Sequence, residues 1–396
     1  SPMSTPLLFS EFKLRSITLR NRIVVSPMCQ YSARDGMADD WHLVNAGKLA
    51  QGGAGLVFLE ATAVEERGRI THGDLGLWHD GQIPGLKRIA DFIRSQRAVP
   101  AIQLGHAGRK GSMQRPWFGN GPLNQADLDR GDRPWPTVAA SGIPVDSHWQ
   151  VPAAMTAADL QQVREAFRAA ARRADAAGFD AVEVHGAHGY LLHTFLSPLA
   201  NRRDDAYGGD LEGRMKFPLE VAAAVREAWP RDKPVFFRCS AVDDYDGGWS
   251  LDDSVTMARR LAALGVDVVD CSSAGIYDSA TGAAKNMPRT ARVPGFQVPY
   301  AERIRGEAGI ATMAVGLILD APQAETVLQQ KRADLIAVAR EVLYDPNWPL
   351  HAAQQLGVDA DFDMWPVQYG WWLTRREAML AKQGLLRQPS LKVAGG

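Results

Sequence analysis

The sequence predicts an α/β fold of the (β/α)8, or TIM-barrel, type, and three observations carry that reading. Eight short runs rich in Val, Ile, Leu and Phe recur along the 396 residues, and segments of helical period separate most of them. The runs are too evenly apolar for sheets with one wet face, as expected of parallel strands covered by helices. Eight is also the strand count of a closed barrel. The rival doubly wound sheet would carry GxGxxG after its first strand, and neither that motif nor GxxxxGK[ST] occurs.

The runs are residues 21–28 (NRIVVSPM), 55–64 (GLVFLEATAV), 98–105 (AVPAIQLG), 179–186 (FDAVEVHG), 234–240 (PVFFRCS), 266–273 (VDVVDCSS), 311–316 (ATMAVG) and 333–340 (ADLIAVAR). Between the third and fourth, Thr156 is placed to cap a helix that Gly178 stops, and the segment from Leu251 to Gly265 repeats the arrangement between the fifth and sixth. Further helices are expected over 219–229, 298–308 and 321–330. Residues 110–152 break the rhythm with many glycines and prolines. Their aromatic residues, Trp117, Phe118, Trp135 and Trp149, argue for a lid or small subdomain after strand three. A second polar excursion spans 201–214. The expected organisation is a single barrel domain over 1–373 with an excursion at 110–152, then a helix and tail over 374–396.

Lys and Arg number 44 against 45 Asp and Glu, so the net charge is −1 and no basic surplus for nucleic acid exists. With 46% apolar and 22% charged residues the composition is that of a globular protein with a sizeable core. No apolar run reaches the roughly 18 residues of a membrane span, since Glu60 interrupts 52–64. The opening residues show no positive segment before an apolar core, so a cytoplasmic protein is expected. Cys29, Cys239 and Cys271 are too few and scattered for a disulfide framework.

Barrel active sites gather where strands end. That rule selects Cys29, Gln30 and Tyr31 after strand one; Gln103, His106, Arg109 and Lys110 around strand three; His185, His188 and Tyr190 after strand four; Arg238 on strand five; and Arg340 after strand eight. The sharpest motif is HGAHGY, residues 185–190. A zinc site would need a third ligand of comparable placement, and HExxH is absent. Two neutral imidazoles suit one carbonyl oxygen on which charge develops, and the Tyr190 hydroxyl suits proton delivery. The plainer alternative is a pair of histidines satisfied at the barrel rim. Cys29 is read as a cofactor contact rather than a nucleophile, because no partner stands at CxxC spacing. Arg340 ends an apolar strand near strand seven, which suggests a phosphate, with Gly316 allowing close backbone approach; a plain salt bridge is the alternative.

These residues resemble the old yellow enzyme family of flavin-dependent ene reductases, and within it the bacterial thermophilic-like subgroup similar to xenobiotic reductase A. The likeness runs from about Leu7 to Leu373 and rests on LRNRIVVSPMCQYSARDG, GLVFLEATAV, QLGHAGRKG, VEVHGAHGYLLHTFLSPLANRRDDAYGG and PVQYGWWL. It implies noncovalent FMN, with Gln103 and Arg238 at the pyrimidine side, Gly316, Ala339 and Arg340 near the phosphate, and Ser26, Pro27, Met28 and Ala63 around the ring system. It further implies that Cys29 tunes the flavin, that Tyr31 and Lys110 line the substrate pocket, and that His185 and His188 bind the carbonyl of an activated alkene. By the same resemblance Tyr190 gives the proton, NADPH or NADH is the reductant, and Trp372, with Tyr369 near it, reaches a neighbour's pocket across a homodimer or higher homo-oligomer. Two departures stand out: relatives carry Gly-Arg where this chain has Ala339-Arg340, and VGLILD after strand seven is poorer in glycine. The rival readings are a 2,4-dienoyl-CoA reductase-like enzyme, whose usual extra domain and iron–sulfur cysteines are not in this sequence, and a flavin-binding barrel without turnover.

Overall fold

The computed structural model describes residues 4–277 and 289–386. All eight expected runs form parallel strands: β1 (Ile23–Val25), β2 (Leu56–Ala63), β3 (Val99–Gly105), β4 (Ala181–Gly186), β5 (Val235–Ser240), β6 (Val268–Ser272), β7 (Ala311–Ala314) and β8 (Leu335–Val338). They pair in chain order, and β8 returns to β1 with Ile336 opposite Ile23 and Val338 opposite Val25, which closes the barrel. The cover is built by α1 (Asp40–Gln51), α2 (Ile83–Ser95), α3 (Ala157–Ala176), α4 (Leu211–Ala228), α5 (Leu251–Leu264), α6 (Val298–Ala308), α7 (Ala321–Gln329) and α8 (Trp348–Gln355).

The helix ends follow their local chemistry. The Thr156 hydroxyl accepts from Asp159 N at 3.1 Å, while the Asp159 carboxylate accepts from Thr156 N at 2.9 Å, a reciprocal cap at the start of α3. Ser250 and Asp253 repeat it on α5. Gly178 at φ 88° and Gly265 at φ 97° turn the chain out of these two helices in the left-handed region. One expectation is corrected. Helix α4 starts at Leu211, capped by Asp210, and not at 219; Pro218 lies inside it, where a break is the usual reading.

Two apolar layers hold the barrel. Outside, Phe167, Phe179, Phe195, Phe217 and their neighbours are fully buried between strands and helices, each such ring contributing about 2 kcal/mol. Inside, Phe58, Ala101, Ala181, Phe236, Val268 and Met313 fill the lumen, and Leu14 and Leu19 close it from below. Those two leucines belong to an antiparallel hairpin, Phe12–Leu14 with Ile17–Leu19. Two residues further along four adjacent strands the filling turns polar, at Gln103, Glu183, Arg238 and Asp270, all buried. The period of two puts each above its apolar predecessor, at the end of the barrel where the βα loops begin.

The excursion after β3 holds a short helix, Gln125–Asp129, and a two-stranded parallel pair, Val138–Ala139 with Ala153–Ala154. It lies over the loops that follow β1 and β6: Trp117 meets the Tyr31 ring edge-on at 5.9 Å, and the Arg109 guanidinium binds the Ile143, Pro144 and Ile276 carbonyls. The C-terminal helix, Val367–Lys382, runs through the boundary expected at 373. Residues 387–396 of the expected tail lie outside the described residues. Among the described residues no helix is long and apolar enough to cross a membrane.

Candidate active site

The HGAHGY motif forms a turn that gathers three rings. His188 at φ 61° and Gly189 at φ 76° are both left-handed, and a Cβ on Gly189 would collide with the Gly275 carbonyl. The turn leaves the His185 ring 5.5 Å from that of His188 and 5.0 Å from that of Tyr190. Below it, His193 accepts from Gly189 N at Nδ1 (2.7 Å) and donates from Nε2 to Asp243 (2.7 Å). The carboxylate of Asp243 also accepts from Ser197 Oγ and Trp249 N, at 2.5 and 2.7 Å, and is fully buried.

Tautomers follow from these bonds. Ala187 N donates to His185 Nδ1 at 3.3 Å, so the single proton of a neutral His185 sits on Nε2. His188 differs: its Nε2 is engaged by Ser272 Oγ at 2.7 Å, while its backbone N–H donates to Ser240 Oγ at 3.0 Å. Burial, reinforced by the Arg238 guanidinium, holds both imidazoles well below the usual histidine range, so both are neutral at physiological pH. Burial, with Cys29 and Asp74 nearby, raises the Tyr190 phenol, which stays protonated as a donor. The Cys29 thiol is raised in the same way by burial, then by Asp74 and Glu60.

A cavity of about 560 Å³ opens beside this cluster. Its lining brings His188 and Arg238 together with Gly316, Ala339 and Arg340. Gly316 is left-handed at φ 104°, where a Cβ would meet the Gln297 side chain. Ala339 keeps a negative φ of −128°, so the methyl in place of glycine does not stand in the left-handed region. Leu317, next to Gly316, is held at φ 49°. Ala63, His185 and Tyr190 border a separate small space of about 10 Å³ shared with Asp74. Ser26 and Met28 border another, with His42 and Glu60, and the loop of Pro27, Cys29 and Tyr31 continues from them; Gln30 N fastens it to Glu60 at 3.1 Å.

Not every expected residue reaches the cavity. Arg109 is spent on three carbonyls, and His106 pairs with buried Glu65 at 2.8 Å, so neither belongs to the cationic face expected from the strand-end rule. Lys110 donates to the His188 carbonyl at 2.8 Å and to that of Gly275, its ammonium 5.7 Å from the Tyr190 ring. Trp372 lies 66% exposed on the C-terminal helix, against Trp371. Sequence reasoning overlooked Ser272, Tyr245, Arg292 and Phe296 on the cavity wall, and Asp74 beside Tyr190. Ser272 ends β6 and the strand-end rule finds it; the others sit in loops without period. Among the described residues no group of His, Cys, Asp and Glu could hold a metal ion.

A closed barrel with neutral imidazoles, a phenol and guanidiniums at its C-terminal mouth defines the class, that of TIM-barrel flavin oxidoreductases. The chain belongs to the NADH:flavin oxidoreductase / NADH oxidase family, whose model matches residues 7–359. It is 44% identical over 370 residues to an NADPH dehydrogenase of Geobacillus sp. (strain WCH70), covering 92% of this chain and 98% of the relative. An NADPH dehydrogenase of Listeria monocytogenes serotype 4a is 45% identical over 352 residues, 88% of this chain and 95% of the relative. Among solved structures, morphinone reductase in complex with tetrahydroNAD superposes with a TM-score of 0.70 at 25% identity, covering 89% of this chain and 92% of that one. Membership implies an oxidoreductase that uses FMN and NAD(P)H. The residues present fit such a cofactor: Ser26 Oγ is buried without a hydrogen-bond partner among the described residues, and the guanidiniums of Arg238, Arg292 and Arg340 line the cavity.

Proposed function

We propose that this protein reduces the activated C=C bond of α,β-unsaturated carbonyl compounds, such as enones, enals and maleimides, at the expense of NADPH or NADH. The observation that carries the reading is the neutral His185–His188 pair beside a protonated Tyr190. FMN supplies the hydride when bound; the candidates to hold it are Ser26, Pro27, Met28, Cys29, Ala63, Gln103, Arg238, Gly316, Ala339 and Arg340. His185 donates from Nε2 to the substrate carbonyl and withdraws electron density from the alkene. His188 supports the same oxygen once its ring is shared between Ser272 and substrate. Tyr190 delivers the proton to the α-carbon. Losing one carbonyl donor costs about 3 kcal/mol of transition-state stabilisation.

Cys29 and Tyr31 after β1 support placement in the thermophilic-like subgroup, with Tyr31, Lys110 and the excursion bounding the substrate space. The names of the relatives favour NADPH. A homodimer completes the reading: Tyr369, Trp371, Trp372 and Met379 lie exposed along one helix, an apolar surface suited to a second copy with Trp372 facing its pocket. The test is anaerobic. Addition of NADPH should bleach the flavin, and cyclohexenone should restore it. Bleaching without recovery on any alkene would leave a reductase of other substrates or a barrel without turnover, and recovery only with dienoyl thioesters would favour the dienoyl-CoA reading.

A further inference from the structure

The polar layer of the barrel holds two carboxyl groups that the proposed reaction does not use. Gln103, Glu183, Arg238 and Asp270 stand on β3, β4, β5 and β6, with Gln103 opposite Glu183 and Arg238 opposite Asp270 in register. Glu183 and Asp270 are completely buried. Gln103 Nε2 donates to Glu183 Oε1 at 2.8 Å, and Arg238 Nε approaches Asp270 Oδ2 at 3.4 Å. Glu183 and Asp270 are within hydrogen-bonding reach of each other. As two carboxylates they would leave Glu183 Oε2 and both Asp270 oxygens without a donor. They would also bury two negative charges against one guanidinium, a cost of several kcal/mol. One proton removes both faults: a protonated Glu183 Oε2 donates to Asp270, which keeps its charge opposite Arg238.

We propose that Glu183 and Asp270 share a single proton held on Glu183, so that Asp270 alone is the counter-ion of Arg238 and the layer presents a neutralised guanidinium and a fixed Gln103 amide to the flavin. Burial and the neighbouring Asp270 push Glu183 well above the usual carboxyl range, in keeping with the neutral form. Both residues are positioning residues, acting through Arg238 and Gln103. The inference rests on flavin binding in this barrel but not on the identity of the alkene.

The roles are unequal, and so are the expected results. Glu183→Gln keeps the neutral state and the hydrogen bond to Asp270, so the FMN midpoint potential should stay near that of the native protein. The double variant Glu183→Gln/Asp270→Asn leaves no carboxylate to answer Arg238, whose charge then faces the more negative reduced flavin. It should favour reduced over oxidised flavin about tenfold, read as a rise of about 30 mV for a two-electron couple. Infrared difference spectra, taken with and without FMN, should show a protonated-carboxyl band in the native protein that Glu183→Gln removes. A potential unchanged in the double variant, a rise of equal size in Glu183→Gln alone, or no carboxyl band lost in Glu183→Gln would each overturn the proposal. Should Glu183→Gln not fold, Asp270→Asn decides: with the Asp270 charge gone Glu183 ionises to answer Arg238, so the carboxyl band should vanish and the potential stay near native, and a retained band would overturn the proposal. Failure of alkene reduction alongside these results would sink the substrate reading alone.

Discussion

Replacing Asp243 by Asn alters one atom at the base of the active-site turn and sets donors against donors. Asp243 Oδ1 accepts from His193 Nε2, and Oδ2 accepts from Ser197 Oγ and Trp249 N. An asparagine turned to satisfy Ser197 and Trp249 presents its NH2 to His193 Nε2. His193 must then move its proton to Nδ1, which faces the Gly189 N–H at 2.7 Å. Turned the other way, the amide NH2 opposes the Ser197 and Trp249 donors. Either way charge-assisted bonds worth about 1.5–3 kcal/mol each are lost or reversed, for a destabilisation of about 3–4 kcal/mol. Ser197→Ala removes one bond and should cost about 1.5 kcal/mol. Gly189 lies between His188 and Tyr190, so Asp243→Asn should also lower kcat/KM by about 100-fold through misplacement of the turn. The sign with pH follows. Burial alone would raise the Asp243 carboxyl, yet His193, Ser197 and Trp249 leave it lowered, so its stabilisation is present above the unfolded carboxyl range and lost as pH falls through the folded value. Urea unfolding and steady-state kinetics check both arms. An Asp243→Asn midpoint equal to that of Ser197→Ala, or an undiminished kcat/KM, would refute the reasoning.

Leu317 is held in the left-handed region, which costs a residue with a Cβ about 1 kcal/mol, and Leu317→Gly should recover roughly that amount in urea unfolding. Because His185 and His188 are already neutral, binding of a carbonyl ligand to them should stay flat as pH falls through the ordinary histidine value of 6.5, which a ligand titration between pH 8 and pH 5 measures. Asp74 behaves oppositely to Asp243: burial raises it from 3.8 to about 6, so the stability it contributes is present at low pH and lost as pH rises through about 6, a slope that Asp74→Asn should flatten. Tyr190→Phe should slow alkene reduction while leaving carbonyl-ligand affinity intact, since the histidines keep their donors.

The barrel was legible because its strands are buried on both faces and its helices carry their own caps. Thr156 with Asp159 and Ser250 with Asp253 mark helix starts that need no tertiary information. The floor hairpin escaped because strands of three residues show no alternation, and the start of α4 escaped because Pro218 is accommodated inside a helix held by packing. In the site, the strand-end rule singled out Gln103, His185 and Arg238 because register fixes their height in the barrel. It could not tell a side chain aimed at the large cavity from one held by a neighbouring carbonyl, as Arg109 is, or by a carboxylate, as His106 is. Asp74, Tyr245 and Arg292 come from loops, where side-chain direction is set by packing rather than by period.

The near-zero charge sum acquires a local meaning from these placements. Arg109 and Lys110 are consumed by backbone carbonyls that close the loops over the barrel mouth, and Arg238 is matched by Asp270. Arg292 and Arg340 line the same cavity without an ion pair among the described residues. Positive charge is therefore open at Arg292 and Arg340 and compensated at Arg238. A ligand that carries its anionic group at one end and a neutral hydrogen-bonding ring at the other matches that division. The opposite orientation would set the anion against the Glu183–Asp270 pair and leave the guanidiniums of Arg292 and Arg340 unanswered.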